Sequence, residues 1–150
     1  MRNSIKEAHI NKVPIYAECG GLMYLGEKLI DQNNNEYDMV GIFSGVSKMT
    51  KSLKRFGYCY GESKIDTILS KKGEIIKGHE FHHSIFETNE ECAYIMRKER
   101  DKKVVDEWEG GYSKHKTLAT YLHTHFYNNL ECIKNFLNHE WSNSLEEGKN

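Results

Sequence analysis

The chain has 150 residues, of which 38% are hydrophobic and 29% are charged, so it suits one globular domain with a real core. Its net charge is −1 with the histidines neutral, and no basic stripe is present, which argues against a nucleic-acid-binding surface. We find no signal peptide and no apolar run of the roughly 18–20 residues that a membrane span requires.

The four cysteines are far apart in the sequence, at positions 19, 59, 92 and 132, and none forms a CxxC pair. This spacing fits neither a zinc knuckle nor a disulfide framework. Widely spaced single cysteines are typical of a reducing compartment, so we expect a cytoplasmic protein.

The first third of the chain predicts alternating helices and strands. A helix is expected over 3–10, a short buried strand over 13–18 and a helix over 20–30, where leucines and an isoleucine recur at helical spacing. Residues 39–43 are short, apolar and expected to be extended.

The rest of the chain predicts mainly strands. A hairpin turn at 71–73 is expected between strands at 65–69 and 74–76. Further predicted elements are strands at 55–61, 93–96, 104–108 and 117–122 and an amphipathic helix at 128–140. This order predicts an α/β fold: a mixed sheet with a parallel core near Cys19, antiparallel additions and flanking helices.

The segment around Cys19 has the pattern of a strand-to-helix turn that presents a nucleophile. Such a nucleophile elbow is crowded, so the positions two before and two after the nucleophile must be small, and here they are Ala17 and Gly21. Gly20 allows close approach of a substrate and leaves its N–H free for an oxyanion. The start of the following helix is expected to favour the thiolate. The alternative is a buried structural cysteine before a glycine-rich turn.

A nucleophilic cysteine needs a base from a distant part of the chain. Histidines cluster at 78–84 and at 119–126. The second cluster places His123 just past an apolar strand, where open α/β sheets hold their sites. Strand periodicity would put His123 and His125 on the same face, so either could be the base.

A metal site is an alternative use of the histidines, although the sequence has neither an HExxH pattern nor a pair of ligating cysteines. His82 and His83 could instead be ordinary strand residues, one facing inward and one outward. The possible ligands are His79, His82, His83, His123 and His125.

Four motifs, in order, carry a resemblance to a known family. PIYAECGGLMYL at 14–25 closely resembles the nucleophile segment of cobyrinate a,c-diamide synthases, in the cobyric-acid-synthase-like branch of class I (triad-type) glutamine amidotransferases. The further matching motifs are GVSKMT at 45–50 with RFGY at 55–58, GHEFH at 78–82 and YLHTHF at 121–126. The resemblance covers about residues 1–140.

The resemblance implies a partial flavodoxin-like class I amidotransferase fold, with Cys19 as the nucleophile and His123 as its activating histidine. Gly20 would donate to the oxyanion. The carboxylate member of the triad is generally absent in this branch, and Glu18 is a poor candidate because successive strand residues face opposite ways. The residues that would contribute to the substrate side of the site are Gly20, Gly21, Glu80, His82 and His125.

The resemblance also implies a reaction. Ammonia would be released from glutamine through a cysteine thioester and passed to a synthetase domain that uses ATP and magnesium to amidate the a and c carboxylates of cobyrinate, in cobalamin biosynthesis. No cofactor is expected in this chain, since it has no GxxxxGK[ST] phosphate-binding loop.

The sequence departs from the family in length. Eighteen residues precede Cys19, and they lack the Gly-Gly-Tyr-Pro-Glu-type segment that supplies a second oxyanion N–H in the family. We therefore expect residues 1–141 to be the C-terminal part of an amidotransferase domain, 142–150 to be a polar tail, and the isolated chain to have little activity. The alternatives are the amidotransferase domain of a related tetrapyrrole or cobyric acid amidase, or a non-catalytic interaction module.

Overall fold

The computed structural model describes residues 1–146, with side chains described through residue 138. The elements in chain order are α1 (Arg2–Ile10), β1 (Ile15–Glu18), α2 (Gly20–Leu25), β2 (Lys28–Ile30), β3 (Glu36–Asp38), β4 (Gly45–Met49), β5 (Arg55–Ser63), β6 (Ile75–His82), β7 (Ser84–Thr88), β8 (Cys92–Arg100), β9 (Lys103–Lys114), β10 (Thr117–Thr120), β11 (His123–Thr124), a 3-10 turn (Phe126–Asn128) and α3 (Leu130–Glu146).

The larger of two sheets has seven strands in the order β1-β10-β9-β8-β5-β6-β11. The pair of β1 and β10 is parallel, and every other pair in this sheet is antiparallel. Although β1 and β11 end the strand order, two hydrogen bonds from Thr124 reach the side chains of Glu18 and Tyr16. The sheet therefore curls so that its two end strands meet.

The smaller sheet has four strands in the order β3-β2-β4-β7, and its β2–β4 pair is parallel. It packs next to α2, and Phe86 on β7 fills the space above Gly45, where an added Cβ would lie 2.4 Å from the ring. The mixed sheet with flanking helices confirms the predicted fold class. Its parallel part is one strand pair in each sheet.

Two groups of buried side chains form the core. One lies against the larger sheet and α3, and the other surrounds α2, so that the segment after Cys19 is anchored on apolar contacts. The first group is Cys59, Ile68, Leu69, Ile76, Ala93, Tyr94, Met96, Leu118, Leu122 and Cys132. The second group is Leu22, Leu25, Val40, Ile42, Phe43, Tyr112 and Ala119.

The predicted helix over 20–30 is wrong in its second half. The helix α2 ends at Leu25, and Lys28–Ile30 is strand β2, which pairs with β4. The backbone N–H of Glu27 already bonds to the carbonyl of Gly45 at 2.8 Å, so the chain has joined the smaller sheet. A short apolar run is compatible with both helical and strand periodicity. In this segment, pairing with the distant strand β4 favours the strand.

One predicted strand is an irregular segment in the structure: residues 65–69 form a loop whose Ile68 and Leu69 are buried. Residues 39–43, which were expected to be extended, pair with no strand, and their Val40, Ile42 and Phe43 are buried. The hairpin turn at 71–73 is confirmed, but it joins β6 to Arg55–Ser63. These segments are apolar because they are buried, and a short apolar run is also the sequence pattern of a buried strand.

The last helix runs to Glu146, six residues further than predicted, so it includes the first part of the predicted polar tail. The remainder of that tail, 147–150, lies outside the described residues. Among the helices that the structure describes, none has the length and apolar character needed to cross a membrane.

Candidate active site

Cys19 lies at the turn between β1 and α2, with φ 50° and ψ −104°. A positive φ is uncommon for a residue with a side chain and marks local strain. A Cβ added to Gly21 would lie 3.0 Å from the Cβ of Ala17, so larger side chains at these positions would collide. The turn thus has the crowding that the sequence predicted for a nucleophile elbow.

The thiol of Cys19 is half-buried, and its sulfur lies 4.0 Å from the carbonyl oxygen of Phe81. Burial raises the pKa of this thiol, the N–H of Gly20 lowers it, and the carboxylates of Glu80 and Glu18 raise it further. We expected the helix start to favour the thiolate. The N–H of Gly20 at the start of α2 acts in that direction, but burial and the carboxylates of Glu80 and Glu18 outweigh it, so the pKa of the thiol is raised overall.

His123 lies on β11, directly opposite His79 of β6, and the two imidazole rings stack with centroids 5.0 Å apart. Its Nδ1 faces a carboxylate oxygen of Glu18 at 3.7 Å. Among the described side chains, no hydrogen bond joins the thiol of Cys19 to His123. The two are connected through Glu18, which precedes Cys19 in the chain.

Glu18 was expected to be a poor candidate for the site, but the structure places its carboxylate beside His123. Alternation along β1 holds, since Tyr16 and Glu18 lie on one face and are hydrogen-bonded to each other at 2.7 Å. What the alternation could not show is that β11 curls past the end of β1, which brings His123 to the face that carries Glu18. The signal available in the sequence was the i, i+2 spacing of Tyr16 and Glu18.

His125 lies just beyond β11, which has two residues and ends at Thr124. It begins the 3-10 turn, where its carbonyl accepts hydrogen bonds from Asn128 and Asn129. Its side chain lines a cavity of about 560 Å³ whose wall includes Tyr58 and His79.

Glu80 and His82 form a buried pair at alternate positions of β6. The Nε2 of His82 is 3.1 Å from Glu80 Oε2, and its Nδ1 donates to the carbonyl of Ser84 at 2.8 Å. The imidazole stacks on the ring of Tyr121 at 3.8 Å, a contact that the sequence did not reveal. These side chains line a cavity of about 450 Å³, and Arg55 lies on its wall. His83 is half-buried, so His82 is the inward-facing member of the two.

The structure does not bring the possible metal ligands together among the described residues. Within the part of the chain that the structure describes, no three His, Cys, Asp or Glu side chains are placed to hold a metal ion. The described cysteines are all free thiols.

Comparison with known proteins decides the family. Residues 1–131 match the family described as the CobB/CobQ-like glutamine amidotransferase domain. The chain belongs to this family. The four motifs and the elbow geometry are thus found in a chain that is related to amidotransferases over most of its length.

Similar curated proteins include cobyrinate a,c-diamide synthases. A cobyrinate a,c-diamide synthase from Listeria monocytogenes serotype 4b (strain F2365) is 58% identical over 133 residues, which are 89% of this chain and 29% of that protein. A cobyrinate a,c-diamide synthase from Salmonella typhimurium (strain LT2) is 44% identical over 91% of this chain and 30% of that protein. The chain therefore spans under a third of the length of these relatives.

A solved structure supports the fold. A glutamine amidotransferase from Thermotoga maritima superposes with a TM-score of 0.51 at 13% sequence identity, covering 99% of this chain and 55% of that one. At this identity the likeness concerns the fold.

Proposed function

We propose that this chain is the glutamine-hydrolysing part of a cobyrinate a,c-diamide synthase. It releases ammonia from glutamine for the ATP-dependent amidation of the a and c carboxylates of cobyrinate, in cobalamin biosynthesis. The observation that carries the proposal is the strained elbow that holds Cys19 at the end of β1, in a chain of the glutamine amidotransferase family. The names of the relatives support the choice of acceptor.

The residues suggest a covalent route. The sulfur of Cys19 attacks the side-chain carboxamide carbon of glutamine while His123 accepts the thiol proton, and the N–H of Gly20 stabilises the oxyanion. The tetrahedral intermediate collapses as His123 returns the proton to the departing ammonia. Water then attacks the thioester with help from His123, which yields glutamate and restores the thiol.

The need for His123 follows from the state of the thiol. Because burial and the two nearby carboxylates raise the pKa of Cys19, the free thiol keeps its proton at neutral pH. A base must therefore remove that proton during the attack.

The cavity next to Glu80 and His82 suits the α-amino acid part of the substrate. It offers the carboxylate of Glu80 inside and the side chains of Lys54 and Arg55 on its wall. A free amino acid carries a positive and a negative group on one carbon, and such a site can pair both. Gly21 avoids a collision with Ala17 at the elbow, and His125, which lines a separate cavity with His79, stays a predicted substrate-side residue.

The remaining steps belong to a partner. We propose that ammonia passes to a synthetase domain that binds ATP, magnesium and cobyrinate, while this chain itself carries the glutamine chemistry and no cofactor. Free thiols in the described structure support a reducing, cytoplasmic setting.

The test is covalent labelling with 6-diazo-5-oxo-L-norleucine, a glutamine analogue that alkylates nucleophilic thiols. We expect one label per chain, on Cys19, and protection by excess glutamine. Labelling accumulates over hours, so it detects a site whose turnover is slow. Peptide mass spectrometry identifies the labelled thiol.

The matched control is Cys92, which is also half-buried and whose pKa burial also raises. Cys92→Ser should leave labelling unchanged, and Cys19→Ser should abolish it. An inert Cys19 in the folded chain, or equal labelling of both thiols without glutamine protection, would favour a non-catalytic interaction module.

A further inference from the structure

The carboxylate of Glu18 joins the strand of the proposed nucleophile to the strand of the proposed base. Its Oε1 accepts the backbone N–H of Thr124 at 2.8 Å and the hydroxyl of Tyr16 at 2.7 Å. Its Oε2 faces the Nδ1 of His123 at 3.7 Å. Thr124 is the residue after His123, so one carboxylate contacts both the backbone and the ring of this segment.

Hydrogen bonds fix the position of this carboxylate. The hydroxyl of Tyr16 is also 2.9 Å from the Oγ1 of Thr124, so hydrogen bonds link Tyr16, Glu18 and Thr124 to one another. Burial raises the pKa of Tyr16 far above its ordinary value, which keeps the hydroxyl protonated and able to donate. With both donors on Oε1, the second oxygen is left directed at the imidazole.

We propose that Glu18 is a positioning residue that keeps the proton of neutral His123 on Nδ1. An ionised carboxylate has only acceptor sites, so a neutral imidazole that faces it is more stable with the N–H on that side. Nε2 is then unprotonated and available as the base. His79 from β6 also lies against the ring, where it presents its face and does not compete for Nδ1.

The contact is electrostatic in this structure, because 3.7 Å exceeds hydrogen-bond distance. Contacts of this kind often shorten when substrate binds. The inference rests on the proposed function, in which His123 is the base, but the tautomer of the ring can be measured without any turnover.

The experiment uses the full chain labelled with ¹⁵N-histidine, studied by NMR at a pH where its histidines are neutral. Ring nitrogen shifts distinguish Nδ1–H from Nε2–H, and His123→Gln assigns the resonance. We expect wild-type His123 to be protonated on Nδ1. Glu18→Gln keeps the size of the side chain but can donate an amide N–H to Nδ1, so most of the Nδ1–H signal should be lost.

The control is Glu27→Gln, which removes an exposed carboxylate elsewhere and should leave the tautomer unchanged. If Glu18→Gln does not fold, Tyr16→Phe is the second variant, because it removes one of the two donors that fix Glu18. It should cause a smaller loss of the Nδ1–H signal of His123. A wild-type ring protonated on Nε2, or an unchanged tautomer in the variant that folds, overturns the proposal. Failure of glutamine-analogue labelling at Cys19 would instead contradict the proposed function.

Discussion

At the scale of single residues, Cys19 combines two opposing properties. The positive φ holds the side chain at a sharp turn between β1 and α2, where a substrate can reach it. The surroundings nevertheless raise the pKa of the thiol through burial and through Glu80 and Glu18, so the reactive thiolate is scarce at neutral pH. The nearby negative charge keeps the thiol protonated, so a base must remove its proton when the substrate is attacked.

This balance predicts the effect of Glu80→Gln. Removing a carboxylate near Cys19 lowers the pKa of the thiol, so a larger fraction is thiolate at any pH below that pKa. The alkylation rate of Cys19 by iodoacetamide should therefore rise at neutral pH, and its pH profile should move to lower pH. Peptide mass spectrometry over a pH series measures both.

Glu7→Gln serves as the control, because Glu7 is exposed on α1. Its profile should coincide with that of the wild type. A pH profile for Glu80→Gln that stays in place or moves to higher pH would show that Glu80 does not raise the pKa of Cys19.

At the scale of elements, the placement of His123 depends on the close approach of β11 to β6. A Cβ added to Gly78 would lie 2.2 Å from the carbonyl oxygen of His123 and 2.9 Å from the Cδ1 of Leu122. The first of these neighbours is backbone, so it cannot rotate away. The glycine in the GHEFH motif is therefore needed for the strand pairing that stacks His79 on His123.

We predict that Gly78→Ala forces β11 away from β6 and lowers the free energy of unfolding by about 1–3 kcal/mol. Urea unfolding followed by circular dichroism measures the loss. The comparison is Gly110→Ala on β9, where the nearest atom to the added methyl would be Met96 Cγ at 3.4 Å. Equal stability of the two variants would mean that β11 can shift without cost.

The elements also show what the sequence could predict. The elbow was predictable because its requirements are local: a strand end, two small neighbours and a following helix around Cys19. Strand β2 was not, because its pairing with β4 is set by residues far along the chain. Glu18 was missed for a related reason, since its contact with His123 depends on how the whole sheet curls.

At the scale of the whole molecule, β1 has an open side. It pairs with β10 along Ile15–Glu18, and within the described residues its other edge has no strand partner. An unpaired edge is a place where another strand can add. Because this strand carries Cys19, the backbone of the elbow is paired with a neighbouring strand on one side only, and its contacts with β11 are made by the side chains of Tyr16 and Glu18.

We therefore predict that the purified 150-residue chain hydrolyses glutamine only slowly. A strand whose backbone is paired on one side only leaves the elbow more mobile, and oxyanion stabilisation depends on donors fixed to within fractions of an ångström. The raised pKa of Cys19 adds to the barrier, because attack requires the proton to leave first. Release of glutamate, measured with a coupled dehydrogenase assay, should exceed that of Cys19→Ser by a small margin. Turnover at a rate typical of enzymes, abolished by Cys19→Ser, would show instead that pairing with β10 and the side-chain contacts with β11 hold the elbow firmly enough for catalysis.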